Sequence, residues 1–377
     1  MNFQPLIDYI EAVLRTEKQV PGCALKIMRN HETLFTYRSG YRDQARQLPM
    51  NGDELYLMYS CTKPITCTAA LQLVEQGKLD LDAPVSRYLP EYGQAFLMQE
   101  GQQIPVSTPI TVRHLFTMTA GLDYSSDAEP VQQFIRENPY ASTPEVVATF
   151  IRSPLLFEPG TRFEYSLCHD VLAAVVEVVS GISFEDYLQQ HIFDPLQMRD
   201  TSFDLSADQA HRLATLYNCP EPGKIFPISS EIKQRWTSRH ASGGAGLYST
   251  LEDYSRFVDA MANHGIGLTG NQILKPETID MMRTDQLPNI VKEPPFDPGT
   301  GLGYGYGLGV RTLISKADGQ RSSLGEFGWN GAAGSYMLID PAYGLSLMFT
   351  THVLAYPYGI SCTHPVIRDL TYDCLGL

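Results

Sequence analysis

This chain carries β-type runs at both ends and helical periodicity in between, and that order constrains its fold more than any single motif does. Residues 22–29 and 32–39 are short β-type runs on either side of Asn30-His31, a connection of hairpin length. Near the other end, residues 304–312, 323–327, 335–339 and 345–351 are β-rich and separated by Gly, Pro and Asp. Helical spacing recurs between them at 66–76, 109–118 (capped by Thr111), 144–152, 170–179, 183–191 and 250–264. An amphipathic helix through Phe3, Leu6, Ile10, Val13 and Leu14 opens the chain. Strands from the two ends can complete one another, so the pattern predicts one sheet made from both termini, with a mainly helical middle. A length of 377 residues is long for one compact core, which points to two domains or one domain with a large insertion.

Composition narrows the class. Hydrophobic residues make up 43% and charged residues 19%, the balance of an ordinary folded protein. A net charge of −14 argues against a nucleic-acid partner, because phosphates would be repelled at long range. No stretch approaches the roughly 20 apolar residues of a membrane-spanning helix. The first residues lack a basic segment followed by an apolar run, and the 7 cysteines have no metal-type or redox-type spacing. The expectation is a cytoplasmic protein with reduced thiols, without a cofactor or a metal, acting on a small molecule.

Three stretches can carry chemistry. In the first, Ser60 and Lys63 precede the small and apolar residues 66–76 and the stop at Gly77. Residues three apart on a helix share a face, so the hydroxyl and the amine become neighbours, the arrangement a serine nucleophile with a lysine base requires. Pro64 fits only near a helix start, which puts Ser60 close to an N-terminus that favours developing negative charge. A free lysine is almost wholly charged at pH 7, so to serve as a base its pKa must fall by about three, through burial or a cationic or hydrogen-bonding neighbour. By itself the Ser-x-x-Lys spacing is common and equally describes an ordinary helix start. The second stretch, Phe163-Glu164-Tyr165-Ser166-Leu167, lies just before an apolar helix. Tyr165 there is either a core residue or, beside an ammonium, a group that ionises and relays a proton. The third, Gly328-Trp329-Asn330-Gly331-Ala332-Ala333-Gly334, lets a ligand approach backbone N–H groups closely, or is a hairpin plugged by Trp329. His169 is read as structural, since no Gly-x-Ser-x-Gly elbow accompanies it, and no His-Glu-x-x-His is present.

Taken in order, these stretches resemble the serine β-lactamase and penicillin-binding-protein superfamily, in its class C branch with esterase-like members. The resemblance extends through Gly77-Lys78-Leu79-Asp80-Leu81-Asp82, Ile110-Thr111-Val112-Arg113-His114-Leu115, Gly243-Gly244-Ala245-Gly246-Leu247-Tyr248 and Asp340-Pro341. It implies an α/β fold of the α+β type, with an antiparallel sheet flanked by helices. The sheet domain would comprise residues 1–65 and 290–377, the helical domain 66–289, and the active site the cleft between them. It also implies Ser60 as the acylated nucleophile, Lys63 and Tyr165 sharing its proton, and the backbone N–H groups of Ser60 and Ala332 as the oxyanion hole. Tyr124 would line the cleft. Two departures bear on the substrate. Tyr165-Ser166-Leu167 replaces Tyr-x-Asn, and Trp329-Asn330-Gly331 replaces Lys-Thr-Gly, so a cation suited to a penicillin carboxylate gives way to an indole. Leu167, Trp329, Asn330 and Gly331 are therefore the expected substrate contacts, and a neutral ester the favoured substrate. An amide-directed β-lactamase or D-alanyl peptidase, an acyltransferase and a slowly turning penicillin binder remain alternatives, and the sequence leaves the oligomeric state open.

Overall fold

The two ends of the chain meet in one sheet. The computed structural model describes residues 1–124, 127–228, 236–287, 303–316 and 319–377, so the expected boundary near residue 290 lies outside the described residues. Three strands come from the N-terminal end, β1 (Gly22–Arg29), β2 (Glu32–Asp43) and β3 (Leu48–Pro49). Five come from the C-terminal end, β4 (Tyr304–Tyr306), β5 (Arg311–Leu313), β6 (Phe327–Asn330), β7 (Tyr336–Asp340) and β8 (Leu345–Thr351). Their order is β4-β5-β6-β7-β8-β1-β2-β3, antiparallel throughout. The two ends join where β1 pairs β8, from Cys23 opposite Thr351 to Arg29 opposite Leu345. Asn30 and His31 both have positive φ, 48° and 69°, the mirror-image turn that matches strand twist and closes the β1–β2 hairpin tightly.

The period of two along the strands sorts side chains to opposite faces. Leu25, Ile27, Leu338 and Leu347 pack with Leu6, Ile10 and Ile367 on one face. That face is covered by α1 (Gln4–Asp8, continued by π-wound turns Tyr9–Glu17) and by the C-terminal helix His364–Leu375. Ala24, Met337, Ile339 and Met348 point the other way, into a larger core shared with the helical region. The helices that matter for the site are α2 (Thr62–Glu75), α3 (Cys168–Ser180) and α4 (Leu251–Ala262). Helix α4, capped by Thr250, lies directly on the sheet, and α2 packs against α3. Every residue of α2 from Thr62 to Leu73 is buried, as is every residue of α3 from Cys168 to Val176. Both helices are therefore interior pillars rather than surface elements.

Three local expectations are corrected. Residues 304–312 form two strands rather than one run, because the chain reverses at Gly307–Val310, where Gly307 N–H donates to Val310 O at 2.8 Å. The run at 323–327 is instead a turn. Ser323 is held by Asp340, Glu326 N–H bonds back to Ser323 O at 3.1 Å, and the strand begins only at Phe327. Trp329 and Asn330 are consequently strand residues, and the turn is Gly331–Ser335, closed by Gly331 N–H to Ser335 O at 2.7 Å. The middle also contains a hairpin, Phe96–Gln99 with Gln102–Pro105, and a helix, Glu129–Glu137, that the periodicity did not reveal.

Candidate active site

Ser60 sits in a single 3₁₀ turn, Tyr59–Cys61, that feeds α2. Tyr59 has φ of 47°, a left-handed conformation unusual for a bulky residue, with a typical cost of about 1–3 kcal/mol. Its ring is fixed among Leu57, Leu216 and Ala333, which over-determines the turn and aims the next residue. Ser60 is half-buried, and Pro64, the third residue of α2, is where a missing N–H costs no intrahelical bond.

One turn on, Lys63 is wholly buried. Its Nζ donates to Ser60 Oγ at 3.3 Å and to Gly244 O at 2.7 Å. It also lies 4.7 Å from the ring centre of Tyr165 and 5.6 Å from that of Tyr124. Burial alone would favour the neutral amine. The phenols of Tyr124 and Tyr165 and the carboxyl of Asp170 outweigh burial, and the Lys63 pKa moves up rather than down. That direction favours the ammonium of Lys63 at neutral pH. On Tyr124 the ammonium acts to lower the pKa, but burial and Tyr165 prevail and the net shift is upward.

Three aromatic rings form the wall beside the amine. Tyr124, 48% exposed, stacks on Tyr165 at 5.5 Å between ring centres, and Tyr165 stacks on Trp329 at 5.8 Å. The Trp329 indole N–H donates to the Tyr165 hydroxyl at 3.3 Å, and Tyr306 meets Trp329 edge-on at 5.3 Å. The adjoining Gly331–Ser335 turn reaches the nucleophile's own segment. A Cβ on Gly331 would stand 2.5 Å from Met58 O, so only glycine permits this approach, and it leaves Ala332 exposed next to the Ser60 turn.

The remaining candidates divide. Pleating turns Asn330 away from Trp329, and its Oδ1 accepts from the buried Arg311 at 3.4 Å. Leu167 is buried at the entry to α3, where its N–H donates to Asp123 O at 3.1 Å and its side chain lines a small apolar cavity with Leu122, Val131 and Phe150. His169 is buried 3.6 Å from Cys67 Sγ and 3.3 Å from Phe116 O, and burial together with Lys63 pushes its pKa down to about 3, which keeps it neutral. The resemblance included Gly243–Tyr248 without giving it a role, and residue spacing did not single out Asp170. Thr66 Oγ1 donates to Gly243 O at 2.7 Å, and Leu247 N–H donates to Thr62 Oγ1 at 3.1 Å, so this segment is laced onto the first turns of α2. The available clue was an aspartate in the first turn of an otherwise apolar helix.

A hydroxyl on a buried ammonium, a phenol beside both and a backbone turn opposite them, set where a two-ended antiparallel sheet meets a helical region, define a serine hydrolase. The chain belongs to the Beta-lactamase family, whose pattern it matches over residues 7–361. It is 31% identical to esterase EstB of Burkholderia gladioli over 94% of this chain and 92% of that one. It is also 31% identical to the lovastatin esterase of Penicillium rubens, over 62% of this chain and 60% of that one. Among solved structures, EstCE1, described as a hydrolase with promiscuous acyltransferase activity, superposes with a TM-score of 0.81 at 27% identity, covering 98% of this chain and 99% of that one. Unliganded simvastatin synthase from Aspergillus terreus shares the fold with a TM-score of 0.80 at 24% identity, over 98% of this chain and 96% of that one. Among the described residues, no helix is long and apolar enough to cross a membrane.

Proposed function

We propose that this serine hydrolase cleaves carboxylic esters through an acyl-enzyme on Ser60. The observation that carries the reading is the Ser60 Oγ–Lys63 Nζ contact of 3.3 Å set against a wall of Tyr165 and Trp329. In this reading Ser60 Oγ attacks the ester carbonyl carbon and its proton passes to the Tyr165 oxygen, whose anion the neighbouring ammonium stabilises. The N–H groups of Ser60 and Ala332 hold the tetrahedral oxyanion, each donor being typically worth about 10²–10³ in rate. On collapse the bond to the alcohol oxygen breaks, and the proton goes from Tyr165 to the leaving alkoxide. A water then repeats the sequence on the acyl-enzyme and releases the acid. Tyr124, Trp329 and the Gly331 turn face the substrate, while Leu167 and Asn330 act from behind, seating the Tyr165 segment and the end of β6.

An indole in place of a cation supports a neutral ester over a carboxylate-bearing β-lactam. EstCE1 favours acyl transfer as a second reading, in which an alcohol or amine replaces water at the same acyl-enzyme. We also place the protein in a reducing, cytoplasmic compartment, a reading supported by its free thiols. The test compares p-nitrophenyl acetate and butyrate with a chromogenic cephalosporin and a fluorescent penicillin. Ester turnover that disappears in Ser60→Ala supports the proposal. Cephalosporin turnover at comparable efficiency overturns the substrate class, and full activity in Ser60→Ala overturns the site.

A further inference from the structure

Asp170 has no part in the acyl-enzyme chemistry above, yet it is only 2% exposed and lies one turn into α3, five residues beyond Tyr165. An interior carboxylate is costly unless it is hydrogen-bonded and balanced by charge. Its Oδ1 accepts from Ser242 Oγ at 2.6 Å and from Gly244 N–H at 3.3 Å. The same Gly244 presents its carbonyl to Lys63 Nζ at 2.7 Å. A single residue therefore joins a buried anion on one side to the buried ammonium on the other. The contact is built for glycine, because a Cβ on Gly244 would stand 2.5 Å from Asp170 Oδ2.

We propose that Asp170 is a positioning residue of this site: it holds the Ser242–Gly244 turn by hydrogen bonds and places a carboxylate behind Gly244, on whose carbonyl the Lys63 ammonium is docked. The role rests on the serine-hydrolase reading, in which that ammonium stabilises the Tyr165 anion. The charged and titratable neighbours of the pair come from every packed element. Lys63 lies on α2, Tyr124 and Tyr165 precede α3, Cys168 and His169 share α3 with Asp170, and Tyr92 approaches from the turn Pro90–Gln94. Burial holds His169 neutral and the Cys168 thiol protonated, with a pKa of about 11; burial also pushes the Asp170 carboxyl up, and the bonds from Ser242 and Gly244 and the Lys63 charge oppose that rise and favour the carboxylate.

Asp170→Asn keeps the shape and an acceptor oxygen for Ser242 while removing the charge. Expected are a KM within about twofold of wild type and a kcat lowered about tenfold or more for p-nitrophenyl butyrate. A folded Asp170→Asn enzyme with unchanged kcat overturns the role, and so does a KM that rises in step with the fall in kcat, which marks packing alone. Should Asp170→Asn fail to fold, Ser242→Ala decides, since it frees the carboxylate from its 2.6 Å bond. A kcat lowered about threefold with a KM within about twofold of wild type supports the role, and an unchanged kcat overturns it. These failures differ from failure of the hydrolase reading, which would appear as wild-type ester turnover that does not depend on Ser60.

Discussion

Two wholly buried cations lie at the two sides of Trp329, and their surroundings differ in kind. Arg311, on β5, is 3.6 Å from the buried carboxylate of Glu326, donates to Met337 O at 3.0 Å and to Asn330 Oδ1, and lies over the rings of Tyr304 and Tyr336. Glu326 in turn takes the Tyr304 hydroxyl. Lys63 donates to a hydroxyl and a carbonyl, and the carboxylate that balances it stands behind Gly244. A cation matched by an adjacent anion is tied into the sheet. One whose nearest contacts are neutral keeps its field available to a bond being made or broken next to it. The contrast separates a buried charge that holds the fold from one poised for chemistry.

Exchanging each cation for an apolar residue of similar size tests that contrast. Lys63→Met is expected to lower kcat/KM for a p-nitrophenyl ester about 10³-fold or more, with a melting temperature close to wild type, as read by stopped-flow kinetics and calorimetry. Arg311→Met leaves Glu326 unbalanced, and unfolding in urea should show a loss of about 3 kcal/mol or more while the folded fraction keeps a kcat near wild type. The reverse pattern, a stability loss at Lys63 and a pure rate loss at Arg311, would dissolve the distinction.

Acid should act on the fold through its buried histidines. Burial pushes His169 and His364 down to a pKa of about 3 and His352 to about 4. An unfolded histidine binds a proton near 6.5, so below that pH the unfolded state takes up protons that the folded state refuses. The histidine contribution to stability is therefore full above about pH 7 and falls with acidification, by up to about 1.4 kcal/mol per pH unit for each histidine until its folded pKa is reached, whereas buried carboxyls such as Asp170 and Glu326, which burial pushes up, act in the opposite sense. Urea midpoints at pH 7 and pH 5 for wild type and for His352→Gln isolate this, and an equal drop in both proteins would contradict it. The smallest effect concerns specificity. Trp329→Lys restores a cation at the mouth of the site and should shift the cephalosporin-to-ester ratio of kcat/KM about tenfold towards the cephalosporin. An unchanged ratio would show that the indole does not set the substrate class.

Much of this was legible in the chain because short-range rules governed it. Ser60 and Lys63 share a helix face at any i, i+3 spacing, and Asn30-His31 between two β-type runs is a hairpin whatever surrounds it. Harder to read was whatever depended on a distant partner. Asp340 holds Ser323 and delays β6 to Phe327, so the strand start is decided 17 residues away. The direction of the Lys63 shift depends on Tyr124, Tyr165 and Asp170, which lie 61, 102 and 107 positions further along the chain, and burial read alone gives the opposite sign. Asn330 is an expected substrate contact because Trp329-Asn330-Gly331 stands in place of Lys-Thr-Gly, and the sequence could not show that the pleat puts the indole on Tyr165 and the amide oxygen on Arg311. The Glu100-Gly101 turn has φ of 49° and 80°, but a glutamate does not ordinarily mark a left-handed turn position, so the hairpin it closes was not legible in the sequence.

The central claim is that Ser60 carries the acyl group. Intact-protein mass spectrometry on enzyme quenched during turnover of p-nitrophenyl butyrate, followed by peptide mapping, tests it most directly. A single butyryl adduct on the peptide containing Ser60, absent from Ser60→Ala, is the predicted result. An adduct on another residue, or one that persists in Ser60→Ala, would contradict it.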